Sequence, residues 1–176
     1  MDRRVGALRR AIADRKPVDA REAGAIDRFL ADLDRLIAPF DEYADATHVT
    51  ASAIVVSDLG VLLHRHKRLG LWLQPGGHVD TDEEPHCAAL REVAEETGLS
   101  PRLPQDHLQL VHVDVHPGGR GHTHLDVRYL VETEPAQPKP APGESQQVRW
   151  FTWDKSIAVA DAGLRGGLRA LRAVYG

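Results

Sequence analysis

Glu92, Glu95 and Glu96 stand at positions i, i+3 and i+4 of a stretch, Glu84 to Thr97, that reads as a helix. On a helix this spacing gathers three carboxylates on one surface. Carboxylates held that close repel one another, and the repulsion favours protonation of some of them. A hard divalent cation, Mg2+ or Mn2+, removes the conflict, because such ions take oxygen ligands and share them among carboxylates, waters and phosphates. An ion in that position can orient a water, acidify it and neutralise charge on a leaving phosphate.

The elements that must position these groups are also legible. Pro85 suits a first helical turn, where its missing N–H costs nothing. Thr81 or Asp82 could cap that end, and Gly98 is placed to terminate the helix. Leu90, Val93, Ala94 and Thr97 make the side expected to pack on a sheet, and Ala88 and Ala89 keep the helix slim. Upstream, Gln74-Pro75-Gly76-Gly77 reads as a loop whose adjacent glycines let a ligand approach the main chain closely.

The spacing joins these parts. Six residues after Gly77 comes Glu83, and eight after that begins Arg91-Glu92-Val93-Ala94-Glu95-Glu96-Thr97-Gly98-Leu99. This pattern resembles the box that marks the Nudix hydrolase family, with each specified position filled. At ordinary residue frequencies an accidental match is on the order of 10⁻⁹ per starting position, which disfavours a merely solvated acidic helix. The resemblance covers roughly residues 46 to 155. It implies an α/β/α sandwich with a mixed sheet, a metal-dependent enzyme and cleavage of a diphosphate linkage, with a nucleoside diphosphate linked to a second group, X, as the expected substrate. It further implies that Glu92, Glu95 and Glu96 hold the metal with the carbonyl of Gly77, and that Glu83 and Arg91 support loop and helix. Glu144, just ahead of Val148-Arg149-Trp150-Phe151, matches the family's late acidic loop and is a candidate metal ligand or general base. The alternative reading is a non-catalytic Nudix-like nucleotide sensor; such domains commonly lack box acids that are present here.

A second constellation is Gly121-His122-Thr123-His124-Leu125-Asp126-Val127-Arg128-Tyr129. In a strand, alternate residues share a face, so His122, His124, Asp126 and Arg128 point one way. That face is a candidate for binding phosphate or a base, and the His-x-His pair is also a Zn-type donor pair. His112, Asp114 and His116 share a face of the preceding strand. His78, beside the glycine loop, is a candidate phosphate contact. His64 and His66 flank Arg65 and read as surface residues, and Trp72 as core or pocket wall.

Composition sets the outer limits. The 176 residues suit one domain with an appendage, and an apolar fraction of 42% is enough for a core. A net charge of −4 gives no strong nucleic-acid footprint. The single cysteine, Cys87, excludes an intrachain disulfide and reads as a packing thiol inside the box helix. No apolar run is long enough for a membrane span, and the Arg-rich start has no apolar segment behind it; a cytoplasmic protein is expected.

Residues 1 to 44 read as a helical extension ahead of a domain over residues 45 to 176. Val5, Leu8 and Ile12 recur at helical spacing, Lys16-Pro17 interrupts, and Asp19 can cap a second helix striped by Ala23, Ile26, Phe29, Leu30, Leu33 and Ile37, ending at Pro39. The extension could pair two copies into a homodimer, cover the active site or pack on the same domain. Strands are expected from Val49 through Val56, from Val61, and over Leu108–Val115, Thr123–Glu132 and Val148–Trp153. Asp58-Leu59-Gly60 is a turn, and a last helix is expected near Leu164 to Val174. Pro135 to Pro142 reads as an exposed loop.

Overall fold

Alternating apolar residues along β1 (Thr47–Ser57) bury both faces of that strand, and the rest of the sheet is built around it. In the computed structural model, which describes residues 2–176, β1 pairs antiparallel with β2 (Gly60–Arg65) and in parallel with β6 (Thr123–Glu132). β6 in turn pairs antiparallel with β5 (Leu110–Pro117), and β2 pairs with β3 (Trp72–Leu73) and β7 (Val148–Phe151). A short strand, β4 (Gly76–His78), lies against the first half of β1. The result is a mixed sheet of seven strands.

Helices cover both faces. The box helix α3 (Pro85–Thr97) packs on one, where Ala88, Ala89 and Val93 meet Val49, Ala51, Ala53, Val55 and Leu62. Helix α5 (Ala162–Tyr175), led in by α4 (Trp153–Val159), packs on the other, where Leu164 and Leu168 meet Ile54, Val56, Leu63 and Leu130. This is the sandwich that the sequence pattern implied. The N-terminal helices α1 (Arg3–Ala13) and α2 (Ala20–Arg35) bury Leu8, Ile12, Ile26, Phe29 and Leu33 in the same apolar cluster as α3 and the sheet. Arg4 Nη1 also donates to the carbonyl of Glu83 (2.7 Å), which fastens the extension to the box loop.

Several details depart from the sequence reading. The glycine loop is partly a strand: Gly76 pairs with Ser52, and a Cβ on Gly76 would come 2.3 Å from Ser52 Cβ. The expected strand over Val148–Trp153 stops at Phe151, because Thr152 caps α4 by accepting from Lys155 N. The cap at the start of α3 is Glu84, without a side-chain hydrogen bond, so neither Thr81 nor Asp82 serves. Ala94 is exposed rather than packed. Cys87 is also exposed, because it faces away from the sheet while Ala88 and Ala89 take the buried positions.

Gly98 ends α3 in the left-handed region (φ 68°), and a Cβ there would lie 2.1 Å from the carbonyl oxygen of Lys139. Gly98→Ala is therefore expected to destabilise the protein by more than the ~1–2 kcal/mol of the left-handed penalty alone, measured as a lowered midpoint in urea.

Candidate active site

Two contacts draw the glycine strand onto the carboxylates of α3. The N–H of Gly76 donates to Glu96 Oε2 (3.0 Å). At Gly77 a Cβ would fall 2.3 Å from Glu92 Oε1, so that carboxylate sits directly on the glycine. Any larger residue at position 77 would displace Glu92, which gives the glycine a steric reason. Glu92 and Glu96 are mostly enclosed, whereas Glu95 keeps about half of its side chain in solvent.

Arg91 is the hub beneath them. It donates to Glu83 through Nε and Nη2 (3.1 and 3.0 Å), to Glu92 Oε1 (2.8 Å), to Glu95 Oε2 (3.2 Å) and to the carbonyl of His78 (2.9 Å). One planar guanidinium thus fixes the loop, the strand and two of the acids, a task for which its forked donors are suited. Burial would raise Glu83, but its bonds to Arg91 hold it below the usual glutamate range. Glu83 also accepts from Asp80 N, which closes the loop before the helix.

Burial above all, and then the charges of Glu92, Glu144 and Glu95, push Glu96 up to about 8 against the opposing bond from Gly76. Glu92 is raised as well, first by burial and in part by Glu95 and Glu144, against the pull of Arg91. Glu144 is therefore carried by its loop to within electrostatic reach of the helix acids. His64 lies 3.6 Å from Glu96 but is buried and pushed down to about 4 by that burial and by His66. Both shifts favour the uncharged members of the pair, a neutral imidazole and a carboxyl that holds its proton more tightly than a free glutamate does. The surface role expected for His64 is corrected: it faces α3 from β2 and is 5% exposed.

This donor set fits a hard divalent cation. The carboxylates are crowded enough to retain a proton, and a cation would take that proton's place. Since the folded value of Glu96 lies above the 4.5 of a free glutamate, the stability that its protonation contributes is fully present below about 4.5 and lost as pH rises through about 8. Mg2+ binding at pH 7 is expected to release a proton, read as a binding enthalpy that varies with buffer ionisation heat. Equal enthalpies in all buffers would show that Glu96 is ionised before the ion arrives.

The second constellation divides in two. His122, His124, Asp126 and Arg128 do alternate along one face, but it is the face beneath α5, and Asp126 and Arg128 are 3% and 2% exposed. Arg128 donates to Asp126 (2.9 Å), to Asp114 (3.2 Å) and to the carbonyl of Gly163 (2.6 Å). Asp126 also accepts from Thr50, Ser52 and Gln74. The expected ligand contacts of Asp126 and Arg128 are thereby corrected: their donors and acceptors are spent inside the protein. His112 joins this network and is pushed down to about 4, by burial first and then by Arg128.

His78, His122 and His124, in contrast, line a cavity of about 320 Å³ with Glu42, Tyr43, Arg68 and Arg120. Arg68 and Arg120 escaped the sequence reading; they lie on loops with no periodic signal. Another cavity, of about 280 Å³, is lined in part by Arg102, Glu132 and Glu134, whose charges pair with one another.

A model of the NUDIX domain matches residues 46–170, which include the whole Gly77–Leu99 constellation and the sheet around it. The chain belongs to the Nudix family. Over 126 residues it is 34% identical to the m7GpppN-mRNA hydrolase NUDT17 of Homo sapiens, a match covering 60% of this chain and 38% of that protein. It is 29% identical over 119 residues to an isopentenyl-diphosphate Delta-isomerase of Ruegeria pomeroyi, covering 63% of this chain and 66% of the isomerase. Among solved structures, a Nudix hydrolase from Clostridium perfringens superposes with a TM-score of 0.60 at 27% identity, over 70% of this chain and 97% of that one. The chain thus spans well under half the length of the human Nudix relative. The region outside the match is chiefly α1 and α2, the part of the chain that precedes the Nudix sheet.

Proposed function

We propose that this chain is a Mg2+- or Mn2+-dependent pyrophosphohydrolase that splits the diphosphate linkage of a nucleoside diphosphate joined to a second group. The observation that carries the reading is the convergence of Glu92 and Glu96 on the Gly76–Gly77 strand, with Glu95 and Glu144 beside them. Glu92, Glu95, Glu96 and the Gly77 carbonyl would hold the ion. A hard cation there supplies charge neutralisation on the phosphates and increases the acidity of the attacking water.

The chain's own groups supply the rest. Glu144 stands in the loop before β7 and is the residue to accept the proton of that water at its carboxylate. Arg91 holds Glu92 and Glu95 in position, and Glu83 holds Arg91. Arg68 and Arg120, whose guanidinium groups are suited to phosphate, surround with His78, His122 and His124 the cavity that would receive the remainder of the substrate. The relationship to an mRNA hydrolase is in keeping with a nucleotide-like diphosphate. Among the described residues no helix is long and apolar enough to cross a membrane, and a cytoplasmic setting accords with the reading.

The test is a panel of nucleoside triphosphates, sugar nucleotides, dinucleoside polyphosphates and non-nucleotide diphosphates, incubated with Mg2+, with Mn2+ or with EDTA. Products are identified by mass. Metal-dependent appearance of two phosphorylated products is expected for at least one class. Binding of a nucleotide with no product in either metal would replace the enzyme by a sensor domain.

A further inference from the structure

We infer that His48, His78 and His124 form a second metal site, for a borderline-soft divalent ion of the Zn2+ class, at the end of the sheet beside the glycine strand. Each of the three offers a ring nitrogen, and these nitrogens lie within 4.8 Å of one another. Ligands of a tetrahedral ion at about 2.1 Å stand about 3.4 Å apart, so modest ring rotations close the site. The three come from three strands. His48 and His124 are paired neighbours on β1 and β6, and His78 ends β4.

The decisive observation concerns His48. It is 0% exposed, yet its Nε2 has no hydrogen-bond partner among the described residues. Its other nitrogen, Nδ1, lies 3.3 Å from the carbonyl of Asp45. Donation there places the proton on Nδ1 and leaves a buried lone pair on Nε2, facing the rings of His78 and His124 at centroid distances of 5.0 and 5.1 Å. A buried polar atom without a partner is costly, and an ion satisfies it. A packed polar cluster, the plainer reading, leaves that atom unexplained.

The surroundings match those of a metal site. Glu42 Oε1 lies 3.4 Å from Nδ1 of His78, the carboxylate–imidazole pairing that orients a ligating histidine and leaves its second nitrogen free. Gly118 closes on the His124 ring, where a Cβ would meet Nε2 at 2.3 Å. The His122 ring, 5.1 Å from that of His48, is available for the fourth position or leaves it open to the cavity. Imidazole ligands select against Mg2+ and for Zn2+-type ions, so the two centres would sort their metals by donor type. An ion clasping β4 to β1 and β6 would also steady Gly77, one residue from His78.

The test titrates EDTA-stripped protein with Co2+ and Zn2+ in excess Mg2+, which occupies the carboxylates. One equivalent is expected to bind, with the visible absorption of tetrahedrally held Co2+ and a rise in thermal midpoint. His78→Ala, at a partly exposed position, and His124→Ala are expected to weaken binding by about 100-fold or more. The Glu95→Gln/Glu96→Gln double variant is expected to retain both the stoichiometry and the spectrum. Absence of binding, or binding that survives His78→Ala and is lost in the double variant, would overturn the assignment. The pyrophosphohydrolase reading is scored separately by turnover in Mg2+.

Discussion

Glu96→Gln is expected to lower turnover by about a thousandfold or more while leaving the fold unchanged. Glutamine preserves the volume and can still accept from Gly76 N. It also resembles the protonated carboxyl that burial and neighbouring acids favour at neutral pH, so unfolding without added metal should be nearly that of the parent. What it cannot do is become an anion when a cation arrives. Losing several kcal/mol of charge stabilisation, at a tenfold rate change per 1.36 kcal/mol, gives the expected magnitude. Glu95→Gln is expected to act in the same direction. Steady-state rates with Mg2+, alongside urea unfolding of the same preparations, separate the two effects. Parent-like turnover in either variant would remove the carboxylates from the reaction.

The largest loss of stability is expected from Arg128→Ala. Its guanidinium is the shared partner of Asp114 and Asp126, all three almost completely buried. Removing it leaves two buried carboxylates short of a cation, at a cost of about 3–5 kcal/mol. Arg21 still reaches Asp114 (3.0 Å) and Thr50 and Ser52 still donate to Asp126, which sets the loss toward the lower end. The sign of the pH dependence follows from Asp114. Burial would raise it, but His116, Arg128 and Arg21 hold it well below the usual aspartate range. Its contribution is present above the unfolded value near 3.9 and is lost as pH falls below it toward the depressed folded value. The gap between parent and variant should therefore be widest near neutrality and shrink in acid. A gap that does not change with pH would mean that the lost packing of Arg128, rather than its charge, sets the cost.

Much of this was readable in the chain because the information is local. The acids of α3 lie within five consecutive residues, and helical geometry alone places them together. Pro85 and Gly98 announce the ends of that helix through rules that involve only the nearest turn. The apolar alternation of β1 and β6 likewise required no partner to be recognised. The strand-like character of Gly76–His78 was not readable, since glycine has no side chain to reveal burial; the close approach of Ser52 creates the pairing.

The outcome for the polar face of β6 shows where such reading stops. Alternation correctly grouped His122, His124, Asp126 and Arg128, but period two does not say which side of a sheet will be covered. The packing of α5 through Gly163 and Gly167 turned the inner half of that face into a buried network and left the histidine end beside a cavity. The lone pair of His48 belongs to the same class of fact. It lies between residues 30 and 76 positions away in the chain, and only the closure of β1, β4 and β6 brings them together. The chain's own spacing thus specified the carboxylate chemistry, because one helix turn suffices to assemble it. The burial of Arg128 and the meeting of three distant histidines arose from sheet pairing and helix docking, which depend on contacts that no local pattern encodes.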